Sequence, residues 1–527
     1  MIMQPLRHLQ DTVEPDHLFA AWLGAGIPEV LVEGGRATAA QEYQDFLADG
    51  LKGPAPFFAG VARTPEGEQW SAALAAEYPD LQCADRFRRQ LEELACGRAQ
   101  VVITGQQPGF MGGPLYTLYK AATVVALAQE RTQAGCPTFP VFWMGDDDDD
   151  LSEALSSVVW DPVQQDLFDS GVDRTALRLL GSARTSVGNL GARRFSARGQ
   201  SWLTAMRAHG ADDPLQTSLV TLWAEAFRDN WTWTRLFRRF LLQLFGHDGL
   251  IVVSGNDDFL HSQAGPLYQE ILARRVALRE LTQQRGETLA GAGFDAAISD
   301  RSLHRHLFRS AGEGREFLPE LASVSTPACL RPGVMLRSPV QDWLFHPAAV
   351  VVGPGELAYL RQLDPVYRAL DIGRSPLVPR LSVQCLPADI SAGKFLASVA
   401  ANSTGRPGRW AEQVGSSVER EIAALLQSEL GVSAERAQDL AAGRRRRFQR
   451  ALLSMFQGER DFQRRMKAAS LPPWVLPRGK RQERLLSSAG AVTLWGEEWL
   501  STVRQGAHQH LDLGRQGTWH EFLIQTP

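Results

Sequence analysis

The feature that most constrains this chain is a short apolar run, Val101, Val102, Ile103 and Thr104, that leads into a glycine-rich turn from Gly105 to Gly113 and then into a helical stripe. Pro114 stands where the first helical position is expected, a place where its missing N–H costs nothing. Leu115, Leu118, Tyr119, Ala122, Val125 and Ala126 recur at helical spacing, which leaves Tyr116 and Lys120 on the opposite side. A second apolar run, Phe139 to Met144, has strand length and is followed by Gly145 and five successive aspartates, Asp146 to Asp150. Strand, loop, helix and strand make a βαβ unit, which predicts an α/β fold with a mainly parallel sheet covered on both faces.

The surrounding pattern extends that reading. Ala84 to Ala95 carries Phe87, Leu91 and Leu94 on one side and Gly97 ends it, so a helix precedes the first strand. Further strands are expected at Leu250 to Ser254, Val334 to Leu336, Ala349 to Val352 and Leu377 to Val378, with a last one at Phe522 to Ile524. At 527 residues the chain exceeds what one hydrophobic core usually serves. From Leu396 onward, polar segments rich in Arg, Glu, Gln and Ala take over, and Leu440, Phe448, Leu452, Met455, Phe456 and Phe462 follow a heptad-like spacing. Three parts are therefore expected: a core over 1–395 with insertions, a helical coiled-coil arm over 396–470, and a segment over 471–527 that returns to the core.

Charge and cysteine usage exclude several classes. The formal net charge is -4, so no global positive field holds a polyanion, and nucleic acid is not an expected partner. Polar residues interrupt every apolar stretch before membrane-spanning length, and Met1 to His8 lacks a signal-like apolar region, so a cytoplasmic location without membrane contact is expected. The five cysteines are scattered without a CxxC pair, which fits a reduced compartment.

Chemistry is expected at the ends of the strands, where α/β folds bind ligands. In the first loop, Thr104, Gly105, Gln106, Gln107, Gly109 and Gly113 offer backbone approach and a helix N-terminus to a phosphate or carboxylate, with Tyr116 and Lys120 behind them. The spacing fits neither the Walker pattern nor GxGxxG, and a tight turn without ligand accounts for the glycines equally well. The aspartate run supplies oxygen ligands suited to Mg²⁺, for which Asp148 and Asp150 are the candidates, although Asp also caps helices. Further along, Gly353, Pro354, Gly355 and Glu356 follow an apolar run, and Glu356 in the first turn would repel a pyrophosphate but suit the ammonium of an amino acid. Glu356 serves equally as a plain helix cap.

Two blocks of residues carry a resemblance. One runs from Val101 to Gly109, through Gly113 to Ala121, to Pro140, Val141, Phe142 and Trp143. The other comprises Leu336, Arg337, Val340, Gln341 and Asp342, then Gly353 to Tyr359, Gln362, Leu363, Pro365, Val366, Tyr367, Val378, Pro379 and Arg380. Together they resemble the bacillithiol biosynthesis cysteine-adding enzymes. The resemblance implies a Rossmann-like core related to class I aminoacyl-tRNA synthetases and nucleotidyltransferases, and a homodimer held by an antiparallel coiled coil. It also implies a cysteine ligase that adds cysteine to glucosaminyl malate to form bacillithiol, with ATP or ADP bound and Mg²⁺ as an accessory ion. Asp148, Asp149, Asp150 and Lys120 are then the catalytic candidates. Gln341, Asp342, Gly353, Gly355, Glu356, Tyr359 and Arg380 join the first loop in binding substrate or nucleotide. One departure stands out: the family usually carries Glu-Asp-His-Asp shortly after Phe-Trp, and here Asp149 replaces the histidine. A nucleotide-responsive dimeric scaffold without turnover, or an amide ligase for another amino acid, are the alternatives.

Overall fold

A computed structural model describes the chain except residues 2, 13–16, 25, 29–36, 149, 171–185, 193–199, 201, 205–206, 208–212, 295–296, 299, 304, 312–313, 319–328, 401–470 and 527. The chain divides into two compact units. One comprises Met1–Cys385 and Gln482–Thr526, the other Leu386–Arg481 with Pro527. In the second unit, the expected arm lies outside the described residues from 401 to 470, and a helix at Ala392–Ala400 precedes it.

The first unit is built on five parallel strands: β1 Gln100–Gln106, β2 Thr138–Met144, β3 Ile251–Ser254, β4 Ala349–Val352 and β5 Leu377–Pro379, in the order β5-β4-β1-β2-β3. Written from the far edge this is 3-2-1-4-5, the doubly wound order, in which the chain reverses direction across the sheet between β1 and β4. Val101, Val102 and Ile103 pair with Phe139, Pro140 and Val141, and every side chain of β3 is buried. Such strands read as unbroken apolar runs because both faces are covered.

Helices α1 Leu81–Ala95, α2 Leu115–Gln133, α3 Trp233–Phe245, α4 Val334–Phe345, α5 Pro354–Gln362 and α6 Ser488–Arg515 connect or cover these strands. Right-handed crossovers place α2 and α3 on one face and α4 and α5 on the other. Asp80 caps α1 by accepting from Cys83 N at 2.8 Å, and Leu94, Leu91 and Phe87 face inward as their spacing predicts.

Two expectations are corrected here. Val334 to Leu336 is the first turn of α4 and not a strand; Met335, Leu336, Val340 and Leu344 recur at helical spacing, and the apolar triplet alone was too short to choose between the two forms. Lys120 does not sit on a solvent side of α2. That helix is buried from Leu115 through Ala128 apart from Tyr116, because α6 covers the face turned away from the sheet. A separate sheet pairs Met3–His8 antiparallel with His520–Thr526, which contains the strand expected at Phe522 to Ile524.

Candidate functional site

Because all five strands are parallel, their C-terminal ends form one edge, and the reversal of strand order between β1 and β4 marks the place where folds of this kind open a crevice. Thr104 Oγ1 donates to Val351 O at 2.9 Å and ties β1 to β4 beneath it. Across the opening, Lys120 Nζ from α2 lies 2.7 Å from Glu356 Oε2 of α5. The same ammonium donates to Gly105 O at 2.7 Å and to Gln106 Oε1 at 3.0 Å. Lys120 is 3% exposed and Glu356 24%, so the pair has a buried end and an open end. Burial pulls the lysine below its ordinary range, and the Glu356 carboxylate pulls it back up. Glu356 Oε2 also accepts from Gly353 N at 2.8 Å, so one carboxylate both caps α5 and neutralises the lysine.

The rim of the crevice is polar. Gln106 Nε2 donates to Glu153 Oε1 at 3.1 Å, and Tyr116 OH lies 3.4 Å from the same oxygen. Burial, with Asp150 and Asp148 nearby, raises the Glu153 pKa. The guanidinium of Arg380 lies 5.7 Å from the Tyr116 ring centre and forms a two-pronged pair with Glu483, both contacts 2.9 Å. Tyr359 stands beside Glu356 and Arg337, and its hydroxyl is raised above its usual range, first by burial and then by Glu356. An added Cβ on Gly355 would meet nothing, so that turn is open, whereas one on Gly353 would approach Arg380 Nε to 3.2 Å.

The glycine-rich turn is not an open cradle. Gly113 N donates to Gly109 O and Phe110 O, both at 3.1 Å, and a Cβ on Gly109 would come within 2.5 Å of Gly113 Cα. The first amide of α2, Leu115 N, donates to Leu486 O at 2.9 Å, and Gly113 O accepts from Ser488 N at 2.7 Å. Gln107 is buried, and its Oε1 has no hydrogen-bond partner among the described residues. The part of this turn that reaches the crevice is Gly105 and Gln106.

The aspartates after β2 divide the work. Asp146 is fully buried and accepts from Ser254 Oγ and Thr234 Oγ1, each at 2.6 Å, and from Asn256 N at 3.1 Å. Burial raises its pKa, against those hydrogen bonds. Asp148 is held by Arg315 Nη2 at 2.8 Å and by Arg337 Nη1 at 3.2 Å, and both arginines also approach Asp147 Oδ2, at 3.5 and 3.4 Å. Asp150 caps the next helix by accepting from Glu153 N at 3.1 Å. Asp149 lies outside the described residues. Of the two aspartates expected to hold Mg²⁺, Asp148 is bracketed by two guanidiniums that offset its charge, while Asp150 is exposed and caps the next helix with one carboxylate oxygen.

Gln341 and Asp342 lie away from the crevice. They occupy the far part of α4, where Asp342 Oδ2 accepts from Ser375 N at 3.3 Å just ahead of β5. Sequence reasoning did not single out Arg315 or Glu153, whose partners are remote in the chain or carry no motif, and it gave no role to Glu483 in the late segment 479–484 that shares the resemblance. It quoted Arg337 within a matching block and gave it no role.

Five parallel strands in doubly wound order, with a charged cluster where that order reverses, define a Rossmann-like α/β domain. The family described as bacillithiol biosynthesis BshC, N-terminal Rossmann-like domain, matches residues 61–323 and 320–381, over half of the chain, and the chain belongs to that family. It is 29% identical over 334 residues to "Putative cysteine ligase BshC" of Halalkalibacterium halodurans, a match covering 58% of this chain and 59% of the relative. The protein of the same name from Shouchella clausii is 27% identical over 340 residues, 60% of each chain. The one from Koribacter versatilis is 30% identical over 311 residues, 55% of this chain and 56% of the relative. The matches span about three fifths of the length of these curated relatives. The resemblance read from the two sequence blocks is thereby borne out. Among the described residues, no helix is long and apolar enough to cross a membrane.

Proposed function

We propose that this protein is a cysteine ligase of bacillithiol biosynthesis, joining the carboxyl group of cysteine to the amine of glucosaminyl malate with ATP as activator. The observation that carries this reading is the Lys120–Glu356 pair at the switch point. A carboxylate that already holds one ammonium at the mouth of a crevice has the chemistry to receive the ammonium of an amino acid. Lys120, relieved of part of that carboxylate, then faces the anionic end of the bound substrates.

In this reading the cysteine carboxylate oxygen attacks a phosphorus of ATP, and either pyrophosphate or ADP leaves. The neutral glucosamine nitrogen attacks the acyl carbon, a C–N bond forms, the C–O bond to the phosphoryl group breaks, and the nitrogen gives up one proton. Glu153, whose raised pKa makes it a stronger base than an ordinary carboxylate, is the group this reading assigns to take that proton. No step is assigned to Mg²⁺ at Asp148 and Asp150. The relation of the core to class I aminoacyl-tRNA synthetases and nucleotidyltransferases, the cytoplasmic location, and a homodimer through the arm over 396–470 belong to the same proposal.

The test is incubation of the full chain with cysteine, glucosaminyl malate and Mg-ATP, followed by mass spectrometry. Bacillithiol with AMP supports an adenylate route and bacillithiol with ADP an acyl phosphate route. No thiol product, under conditions where a relative from Halalkalibacterium halodurans forms one, would overturn the reading and favour the scaffold alternative.

A further inference from the structure

At the opposite edge of the sheet, away from the crevice, three side chains of metal-ligating type converge. Cys83 lies in the first turn of α1, Asp80 caps that helix, and His247 lies in the turn between α3 and β3. Cys83 Sγ is 3.3 Å from His247 Nδ1, and Asp80 Oδ2 is 3.1 Å from His247 Nε2. One ligand atom from each of the three residues can be chosen so that all lie within 4.8 Å of one another. We propose that Asp80, Cys83 and His247 form a binding site for a zinc-class divalent ion, with water completing a tetrahedral shell.

Several observations support the site beyond proximity. A sulfur-to-nitrogen separation of 3.3 Å is close to what two ligands of one tetrahedral zinc require, given bonds of about 2.3 Å to sulfur and about 2.0 Å to nitrogen. The two segments are held in register without a metal. Tyr78 OH donates to Leu250 O at 3.0 Å, Gln90 Nε2 donates to Gly249 O at 2.9 Å, and Arg86 bonds His247 O. The ligand-bearing turns are therefore preorganised by contacts that do not use the ligand atoms. Thiolate, imidazole and carboxylate together suit zinc better than an all-oxygen ion.

Cys83 is buried while His247 is 62% exposed, so an ion would have a protein side and a solvent side. Asp80 and Asp248 add negative charge near the thiol and Arg86 opposes them. Burial, followed by Asp80, pushes the Cys83 thiol up to about 11, so binding releases its proton to solvent as the thiolate forms. Without a metal, the same atoms are joined by a thiol–imidazole hydrogen bond. His247 would then be a simple pin between α1 and the turn before β3.

The experiment uses the full chain stripped with a chelator and titrated with Co²⁺ alone. One cobalt per chain, showing tetrahedral absorption and a thiolate-to-cobalt charge-transfer band, is expected. Cys83→Ser should abolish the charge-transfer band, and His247→Gln, at an exposed position, should weaken binding more than about 100-fold while leaving the far-ultraviolet dichroism unchanged. Zn²⁺ should raise the Tm of the wild type by about 2 °C or more and leave that of His247→Gln unmoved. Absence of cobalt binding, an oxygen-only spectrum, or a spectrum that both variants retain would overturn the site and leave the hydrogen-bonded pin.

Discussion

Two charged clusters in the same unit use the same residue types to different ends. At the crevice, the Lys120–Glu356 and Arg337–Asp148 pairs each keep a partly exposed member, with 24% for Glu356, 21% for Arg337 and 18% for Asp148, while Lys120 is buried. The second cluster lies near the entry to β5 and is sealed. There Glu42 is fully buried and accepts from Arg361, from Arg374 Nη2 at 2.9 Å and from Leu377 N at 2.8 Å. Asp364 lies 3.1 Å from Arg374 Nε and 3.8 Å from both Arg361 Nη1 and Arg285 Nη2. Burial raises the Asp364 pKa and lowers that of Arg361, each opposed by its partners. Charges that can exchange a protein partner for a ligand suit binding, and charges with no such route fix one packing arrangement. Exposure, not charge density, separates the two.

The largest effect is expected in the sealed cluster. Glu42→Gln leaves Arg361 and Arg374 short of an anion they cannot replace with water, and should destabilise by about 3–5 kcal/mol, read from the midpoint of urea unfolding. A loss below about 1 kcal/mol would show that water enters the cluster and would break the comparison.

Asp342, on the same side of the molecule, sharpens it through pH. Burial, opposed by its hydrogen bonds, raises its carboxyl from 3.8 to about 6. The folded chain therefore keeps a proton that the unfolded chain loses in that window. The stability tied to this proton is fully present below the unfolded value and is lost as pH rises through the folded one. Asp342→Asn removes the loss, so the variant's stability relative to wild type should improve by about 1–3 kcal/mol between pH 3.5 and pH 7.5, measured by urea midpoints at both.

In the crevice, Glu356→Gln should cost only about 1–2 kcal/mol of stability, since Lys120 keeps Gly105 O and Gln106 Oε1. Turnover in the proposed reaction should nonetheless fall about 100-fold, with KM for cysteine raised. Equal stability losses for the Glu42 and Glu356 variants would remove the distinction. The smallest effect is expected for Tyr116→Phe, whose hydroxyl makes only long contacts at the rim; below about 1 kcal/mol should be lost on thermal unfolding.

The sequence revealed most where structure is local. The strands at 101–104, 139–144, 349–352 and 377–378 are unbroken apolar runs, and the structure has strands at each. The triplet Val334 to Leu336 misled because three residues do not distinguish a period of two from a period of 3.6. At the site, Lys120 and Glu356 were both selected, yet nothing in either segment shows that they pair with each other across the crevice. The aspartate run gave no sign of Arg315 and Arg337, which pair with Asp148 from chain more than 160 positions away. His247 is likewise 164 residues from Cys83, beyond the reach of any spacing rule for zinc. Local pattern finds candidate groups, and only tertiary structure shows what already occupies them.

The closure of the first turn by Leu486 and Ser488 also bears on biosynthesis. A nascent chain that has exposed β1, the turn and α2 holds the Leu115 amide and the Gly113 carbonyl without their final partners until residues 486–488 clear the ribosome. Translation at about 5–20 residues per second makes that interval tens of seconds. The earliest recognisable element of the fold is therefore among the last to be finished. A stop codon placed before Leu486 would release a chain whose first turn lacks its two closing partners, however complete its sheet.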